Sequence, residues 1–590
     1  MGPSLYQYQS LTDTHSIRLL SIRHDESKPH NLSLSLREVN LDSDPDFYAL
    51  SYTWKSPVYT RNTLAATPHP ERHFDIQCDD KTATISSNLF DFFQTVLSIL
   101  HRPRFSSNHP LSSSSPPTTP PQPVPKLNLE EKQNLKLDHL LTTLPIWIDA
   151  LCINQTNPSE REHQVLLMHK IYSRAKHVLV WLGGSELDPR GSVVWVHNTF
   201  IPALAKATKS DSEFVVSLLA DDPLCESQLV QNRLGGAVCN RWAASWLGFA
   251  NFLDRHRWFG RGWVVQEVAL GKAESISLLC GVTELSWVRL SAFSRFLHHT
   301  GWAQRLRNTL NMRITGRGVV SEVGSRRPIG WKIRSIEDIR RLVGAGPGET
   351  AVVLDKGDAM RLWVLRASSL IAILRASEFE DHRDHVYGSL GMLSQLLPQG
   401  MESPIKPDYG MATEEVFTSV AATFIEGTKS LLELSQVEDR RHRRYHGLPS
   451  WVPDYSVHPK DSALPNMSES DLYTSLVPDS ELIIPPPLIK GSRLIVYGIR
   501  IDTRGEATLH SWSDTPKFRD NLLSLLVTTT ALHTTTLALD FFTALARGRL
   551  ELFIRSQPTP LRPWIVGTWA PPSPSQAAPP CRASTFGSQT

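Results

Sequence analysis

The stretch that most restricts the fold runs from 145 to 183, PIWIDALCINQTNPSEREHQVLLMHKIYSRAKHVLVWLG. Its two ends, PIWIDALCI (145 to 153) and HVLVWLG (177 to 183), are short apolar runs of the kind that form buried strands. Between them Asn157 can cap a helix, Pro158 occupies the first helical position, and Glu160 is placed to complete a capping box. Val165, Met168, Ile171 or Tyr172, and Ala175 then recur at the three-to-four spacing that makes one apolar face. A strand, a helix that packs back and a second strand make up the crossover unit of a parallel sheet. Further runs at IRLLSI (17 to 22), YALSYTW (48 to 54) and SISLLCG (275 to 281) extend the pattern. The expected fold class is α/β, a mostly parallel sheet flanked by helices.

At 590 residues the chain is too long for one core, and the reading divides it into four regions. An α/β domain spans 15–285, broken near 103–128 by the Pro/Ser-rich SSNHPLSSSSPPTTPPQPVP, which cannot bury enough apolar surface to order itself. A helix-rich region with a few strands covers 286–510, including the strand pattern SRLIVYGIRID at 492 to 502. A helical segment, 511–556, and a low-complexity tail, 557–590, follow. Within 521 to 546 the threonine triplets, His533 and Asp540 argue for a half-buried helix instead of a bilayer span. The N-terminal residues lack a basic region followed by an apolar stretch, so a cytoplasmic location is expected.

A formal net charge of +2 gives no polyelectrolyte signature, and no nucleic-acid partner is expected. The densest basic run, RRHRRYH at 440 to 446, has no interleaved aromatic platform and reads as a solvated loop. The six cysteines form no C-x-x-C pair and have no histidine at metal spacing, so neither zinc nor a disulfide framework is indicated. GAGPGET at 344 to 350 lacks the lysine of a phosphate-cradling loop. Neither G-x-S-x-G nor H-E-x-x-H occurs.

Candidate site residues therefore come from the strand ends, where an open α/β sheet binds its ligands. Ser51, Tyr52 and Trp54 end one strand; Asp149, Cys152, Asn154 and Gln155 end the next; Trp181 and Gly183 end a third. Each has a plainer role available: Asp149 as an acceptor for a neighbouring loop, Trp54 and Trp181 as core aromatics. HRWFGRGWVVQEVAL, 256 to 270, carries Glu267 in an apolar setting, with Trp263 four residues earlier on the same helical face. Glu267 either lines a site or anchors Arg257 or Arg261 in a structural pair.

Taken in order, YALSYTW, the block from Leu144 to Gly183 and RHRWFGRGWVVQEVAL strongly resemble the three signature blocks of the fungal heterokaryon incompatibility domain. DHRDHVYGSLGML (381 to 393) and LPSWVPDY (448 to 455) resemble segments that commonly follow it. Lys55 departs from the glycine usual after the first block's tryptophan, which bears on the local turn. The resemblance implies non-self recognition and programmed cell death signalling through a self-associating domain, with a second copy or other incompatibility proteins as partners. It also implies a distant likeness to the Toll/interleukin-1 receptor domain, some of whose members cleave NAD. LSY at 50 to 52 and WVVQE at 263 to 267 resemble two boxes of that group, with Val264 in place of a cysteine. The alternative function so implied is NAD hydrolysis. Glu267 would be catalytic, with Ser51, Tyr52, Trp54, Asp149, Asn154, Gln155, Trp181 and Trp263 binding the nucleotide. No cofactor or metal would be required, NAD being the substrate.

Overall fold

A computed structural model describes residues 4–24, 32–59, 72–100, 143–209, 223–315, 328–344, 356–397, 400–429, 431–458, 486–498 and 562–566. The Pro/Ser insertion and the segment 511–556 lie outside the described residues. The chain forms two compact units, the first Met1–Val352 with Ser377–Leu397, the second Val353–Ala376 with Pro398–Thr590.

The first unit is built on a nine-stranded sheet in the order β5-β4-β2-β1-β6-β3-β7-β8-β9. The strands are β1 (Ser16–His24), β2 (Leu32–Asn40), β3 (Tyr48–Ser51), β4 (His73–Cys78), β5 (Lys81–Ser86), β6 (Ile146–Trp147), β7 (His177–Trp181), β8 (Ile276–Cys280) and β9 (Thr283–Ser286). The helices that matter for the site are α1 (Ser87–Leu100), α2 (Asp149–Cys152), α3 (Pro158–Arg174), α4 (Gly236–Arg255), α5 (Trp263–Ala269), α6 (Trp287–His299), α7 (Trp331–Gly344) and α8 (Asp384–Ser394).

The crossover read from 145 to 183 forms: β6 and β7 lie on either side of β3, both parallel to it, and β8 continues parallel to β7. The sheet as a whole is mixed, which corrects the expectation of a mostly parallel one. β1 is antiparallel to both β2 and β6, and β4–β5 and β8–β9 are antiparallel hairpins. Tight turns account for the two hairpins. Asp79 and Asp80 both adopt positive φ (50° and 58°), and Gly281 does the same (55°) between β8 and β9.

The run PIWIDALCI is not one strand. Only Ile146–Trp147 pairs, and the chain then turns into the short helix α2, which buries Leu151 and Cys152 just as a strand would. Asn157 caps α3 as expected, accepting from the amides of Ser159 (3.1 Å) and Glu160 (3.3 Å). Glu160 does not complete a capping box. It accepts from the Asn154 amide at 2.8 Å and pairs with Arg18 of β1 at 2.6 Å, both side chains less than a tenth exposed. The buried face of α3 is Gln164, Leu167, Met168, Ile171 and Tyr172, and Val165 stays half-buried.

α5 packs on β3, α3, α7 and α8. Its C-terminal carbonyls are held by Arg340 of α7, which donates to Val268 O at 2.6 Å. α8 comes close because it carries glycines: a Cβ on Gly391 would stand 2.7 Å from His169 Cβ.

In the second unit, strand 493–498 realises the SRLIVYGIRID pattern, pairing with 488–490 and with 562–566. The last of these lies inside the stretch read as a low-complexity tail. The basic run at 440 to 446 is only partly a solvated loop. Arg441 is exposed, but Arg443 is buried, 2.7 Å from Glu438 and donating to Val452 O at 2.8 Å. Among the described residues no helix is long and apolar enough to cross a membrane.

Candidate functional site

The parallel strands end together. Ser51 of β3 lies opposite Val180 of β7, and Ala49 opposite Trp147 of β6, so the residues that follow leave the same edge of the sheet. Glu267 reaches that edge from α5. Its carboxylate accepts from the Ser51 hydroxyl, which in turn accepts from Trp258 Nε1 at 2.8 Å. The first and third sequence blocks are thus joined by one hydrogen-bonded chain across 216 positions.

Glu267 is 3% exposed, and burial pushes its carboxyl up to about 7. Arg261 acts against that shift and so does the Ser51 hydrogen bond, while Asp149 adds to it. Arg261 is thus the cation that Glu267 senses, yet its guanidinium donates to Tyr52 O, a backbone partner. Arg257 is turned elsewhere: it donates to Ser56 O at 3.1 Å and stacks over Tyr59, 4.5 Å from the ring centre. Neither arginine forms a direct ion pair with Glu267.

Tyr52, 2% exposed, is raised well above its usual range by burial and by the Asp149 carboxylate beside it. Asp149 opens α2, is half-buried and is itself raised by burial; its second oxygen accepts from Trp54 Nε1 at 2.8 Å. Trp54 leaves 41% of its surface exposed. Gln155 donates to Asp149 O at 2.9 Å and so shapes the backbone of α2. Tyr172, behind the cluster, donates to Leu50 O at 2.9 Å.

The other candidates go elsewhere. Asn154 accepts from Thr156 Oγ1 at 2.7 Å and holds its own loop. Trp181 is wholly buried, its indole donating to Asn88 Oδ1 at 3.0 Å, and packs in the core against Phe92. Trp263 is half-buried, turned away from the cluster toward the Phe379 ring at 6.1 Å. Tyr52, Asp149 and Glu267, with Ser51, Trp54 and Arg261, are what the fold brings together.

Sequence reasoning missed the strap beside this region, residues 377–380, which leads into α8, the helix formed by the DHRDHVYGSLGML segment. Glu378 pairs through its backbone with Gly260 and Gly262, its N–H donating to Gly260 O (2.8 Å) and its carbonyl accepting from Gly262 N (2.9 Å). The Glu378 carboxylate accepts from the Tyr59 hydroxyl at 2.6 Å, and Glu380 pairs with Lys55. The Phe379 ring sits where Gly262 has no side chain: a Cβ there would fall 1.9 Å from it. Behind the strap, the Gln266 amide lies between Gly388 O and His169 N, and the amide orientation assigned to satisfy both has it donating to the first (3.1 Å) and accepting from the second (3.0 Å). His256, also unremarked in the sequence, is buried between aromatic rings with neither ring nitrogen hydrogen-bonded, and burial lowers it to about 3.

Residues 123–267, which include Asp149, Arg261 and Glu267, match the family described as heterokaryon incompatibility protein. Over 530 residues the chain is 24% identical to heterokaryon incompatibility protein 6, OR allele, of Neurospora crassa, covering 86% of this chain and 68% of that one. No solved structure matches it.

Proposed function

We propose that this protein acts in fungal heterokaryon incompatibility, signalling non-self recognition and cell death from the cytoplasm through self-association of its α/β unit. The observation that carries the reading is the Trp258–Ser51–Glu267 chain, which ties two of the blocks that carry the family likeness into one buried construction. A distant relation to the Toll/interleukin-1 receptor domain, supported by the LSY and WVVQE motifs at 50 to 52 and 263 to 267, belongs to the same reading. Inducing the full chain in a fungal host and scoring cell death tests it, alongside the mass of the purified protein by light scattering. Death on induction with a concentration-dependent assembly is expected; normal growth and a strict monomer would refute it.

A second reading is NAD hydrolysis at the same cluster, favoured by the convergence of Tyr52, Asp149, Trp54 and Arg261 on Glu267. Breaking the ribose–nicotinamide bond develops an oxocarbenium-like sugar, which an anionic Glu267 would stabilise. The leaving nicotinamide departs neutral and needs no acid. Trp54 and Tyr52 would offer aromatic faces to the cationic pyridinium. A buried Glu267 requires the site to open first. Nicotinamide release by the assembled protein, reduced at least a hundredfold in Glu267→Gln, is the expected result; no release from the parent protein at high concentration would end this reading.

A further inference from the structure

We infer that Lys55, Arg257 and Arg261 form an anion site for the phosphates of a small polyphosphate ligand, and that the strap 377–380 occupies it in cis through the Glu380 carboxylate. The inference rests on reading the Glu267 cluster as a ligand site, and it supplies that site with a ligand class and a regulator.

Three cations, Lys55 just after the first block and Arg257 and Arg261 of the third, act on one acidic side chain. Lys55 pairs directly with Glu380, and both Arg257 and Arg261 add to the attraction that holds the Glu380 carboxyl below its usual range. Arg257 is kept in place by stacking on Tyr59 and by its bond to Ser56 O, and Arg261 by its bond to Tyr52 O. Arg261 also acts on Asp149 and Glu267, so the anion site and the carboxylate cluster share a residue. A phosphate group at the cations would leave the rest of a nucleotide within reach of Trp54, whose ring is the exposed aromatic of the cluster.

The strap is built as a replaceable occupant. The Glu380 side chain is 85% exposed and that of Lys55 50%, so water competes for both and their pairing is weak. A phosphate carries more charge and more acceptor oxygens than a carboxylate, and guanidinium groups bind it bidentately. The strap is nevertheless positioned, not loose: its backbone bonds to Gly260 and Gly262 and the Phe379 ring against Gly262 hold it beside the cations. Displacing Glu380 therefore transmits to the segment that leads into α5, the helix bearing Glu267.

Inorganic pyrophosphate, titrated calorimetrically into the full chain at fixed ionic strength, tests this. Binding should tighten about tenfold in Glu380→Gln, be lost in Lys55→Glu, and speed hydrogen exchange of the strap amides. Equal melting temperatures of the three proteins exclude misfolding as the cause. Wild type and Glu380→Gln binding alike, Lys55→Glu binding like wild type, or no binding by any of them overturns the inference. The NAD reading fails separately: pyrophosphate binding without nicotinamide release leaves the anion site standing, and release without pyrophosphate binding removes it.

Discussion

Glu267→Gln separates a buried carboxylate from a buried ion pair, and the structure sets the size of the effect. Burial raises the Glu267 carboxyl from 4.5 to about 7 in the folded protein. The folded state therefore holds this proton more tightly than the unfolded chain. The stability associated with it is fully present below about pH 4.5 and is lost as pH rises through 7. A displacement of two and a half pH units corresponds to roughly 3 kcal/mol at 1.36 kcal/mol per unit. Glutamine resembles the protonated acid, can still accept from Ser51 and has no charge to bury. The variant should match wild type near pH 4.5 and exceed it by roughly 3 kcal/mol at pH 8. The wild-type slope alone will not reveal this. His256, lowered to about 3 by burial, has the opposite sign: its stability is present above about 6.5 and is lost as pH falls toward 3. The difference between the two proteins cancels that contribution. Urea unfolding of both across pH 4.5 to 8 is the assay. A variant destabilised by roughly 3 to 5 kcal/mol at pH 8 would mean that Glu267 neutralises Arg261, and the reasoning from burial would be wrong.

Three further substitutions probe the frame around the site. Gly262→Ala keeps a helical backbone (φ −76°, ψ −44°) but drives its Cβ into the Phe379 ring, so it should lower stability by about 1 to 3 kcal/mol and expose the strap to protease; an unchanged cleavage pattern would show that the ring is not held there. Glu160→Gln leaves Arg18 buried beside a neutral partner and should cost about 3 to 5 kcal/mol in chemical denaturation, a loss below 1 kcal/mol contradicting the buried pair. His256→Leu removes two buried nitrogens without hydrogen bonds and should raise the midpoint of thermal unfolding at pH 5, by about 1 to 3 kcal/mol of stability; a lower midpoint would mean the ring has a polar partner.

The parallel centre of the fold was legible because β3, β7 and β8 are largely buried and so appear as near-continuous apolar runs. The hairpin strands were not. LSLSLREVN alternates with polar residues, and β4 and β5 are partly exposed, so neither forms an unbroken run. Asp79–Asp80 between FDIQC and KTATIS was the available signal, since short polar side chains tolerate the positive φ that such a turn requires. Apolarity also could not distinguish a strand from a buried helical turn after Trp147, because both hide Leu151 and Cys152. Of the residues the fold brings together, Ser51, Tyr52, Trp54 and Asp149 followed from strand ends, and Glu267 from its apolar helical setting. Trp181 failed the same test because its side chain points into the sheet's core, and Asn154 because an asparagine beside a helix start satisfies local donors first.

The strap was illegible for a different reason. Glu378 meets Tyr59 across 319 positions and Glu380 meets Lys55 across 325, and no local period records such a pairing. What ties it to the chemistry is α5, seven residues long and held differently at its two ends. Arg340 fixes the C-terminal carbonyls, while the residue before its first turn, Gly262, donates to Glu378 O of the strap. Glu267 lies between these holds, bonded to Ser51 at the end of β3. Loosening the strap therefore frees the N-terminal end of the helix and leaves the other end tethered. The residues on that end are Arg261, Gly262 and Trp263: one charge acting on Glu267 and Asp149, one backbone contact to the strap, one ring against Phe379. Movement there alters the field at Glu267 before it breaks the Ser51 bond, so a change in the carboxylate's titration should precede any exposure of the carboxylate itself.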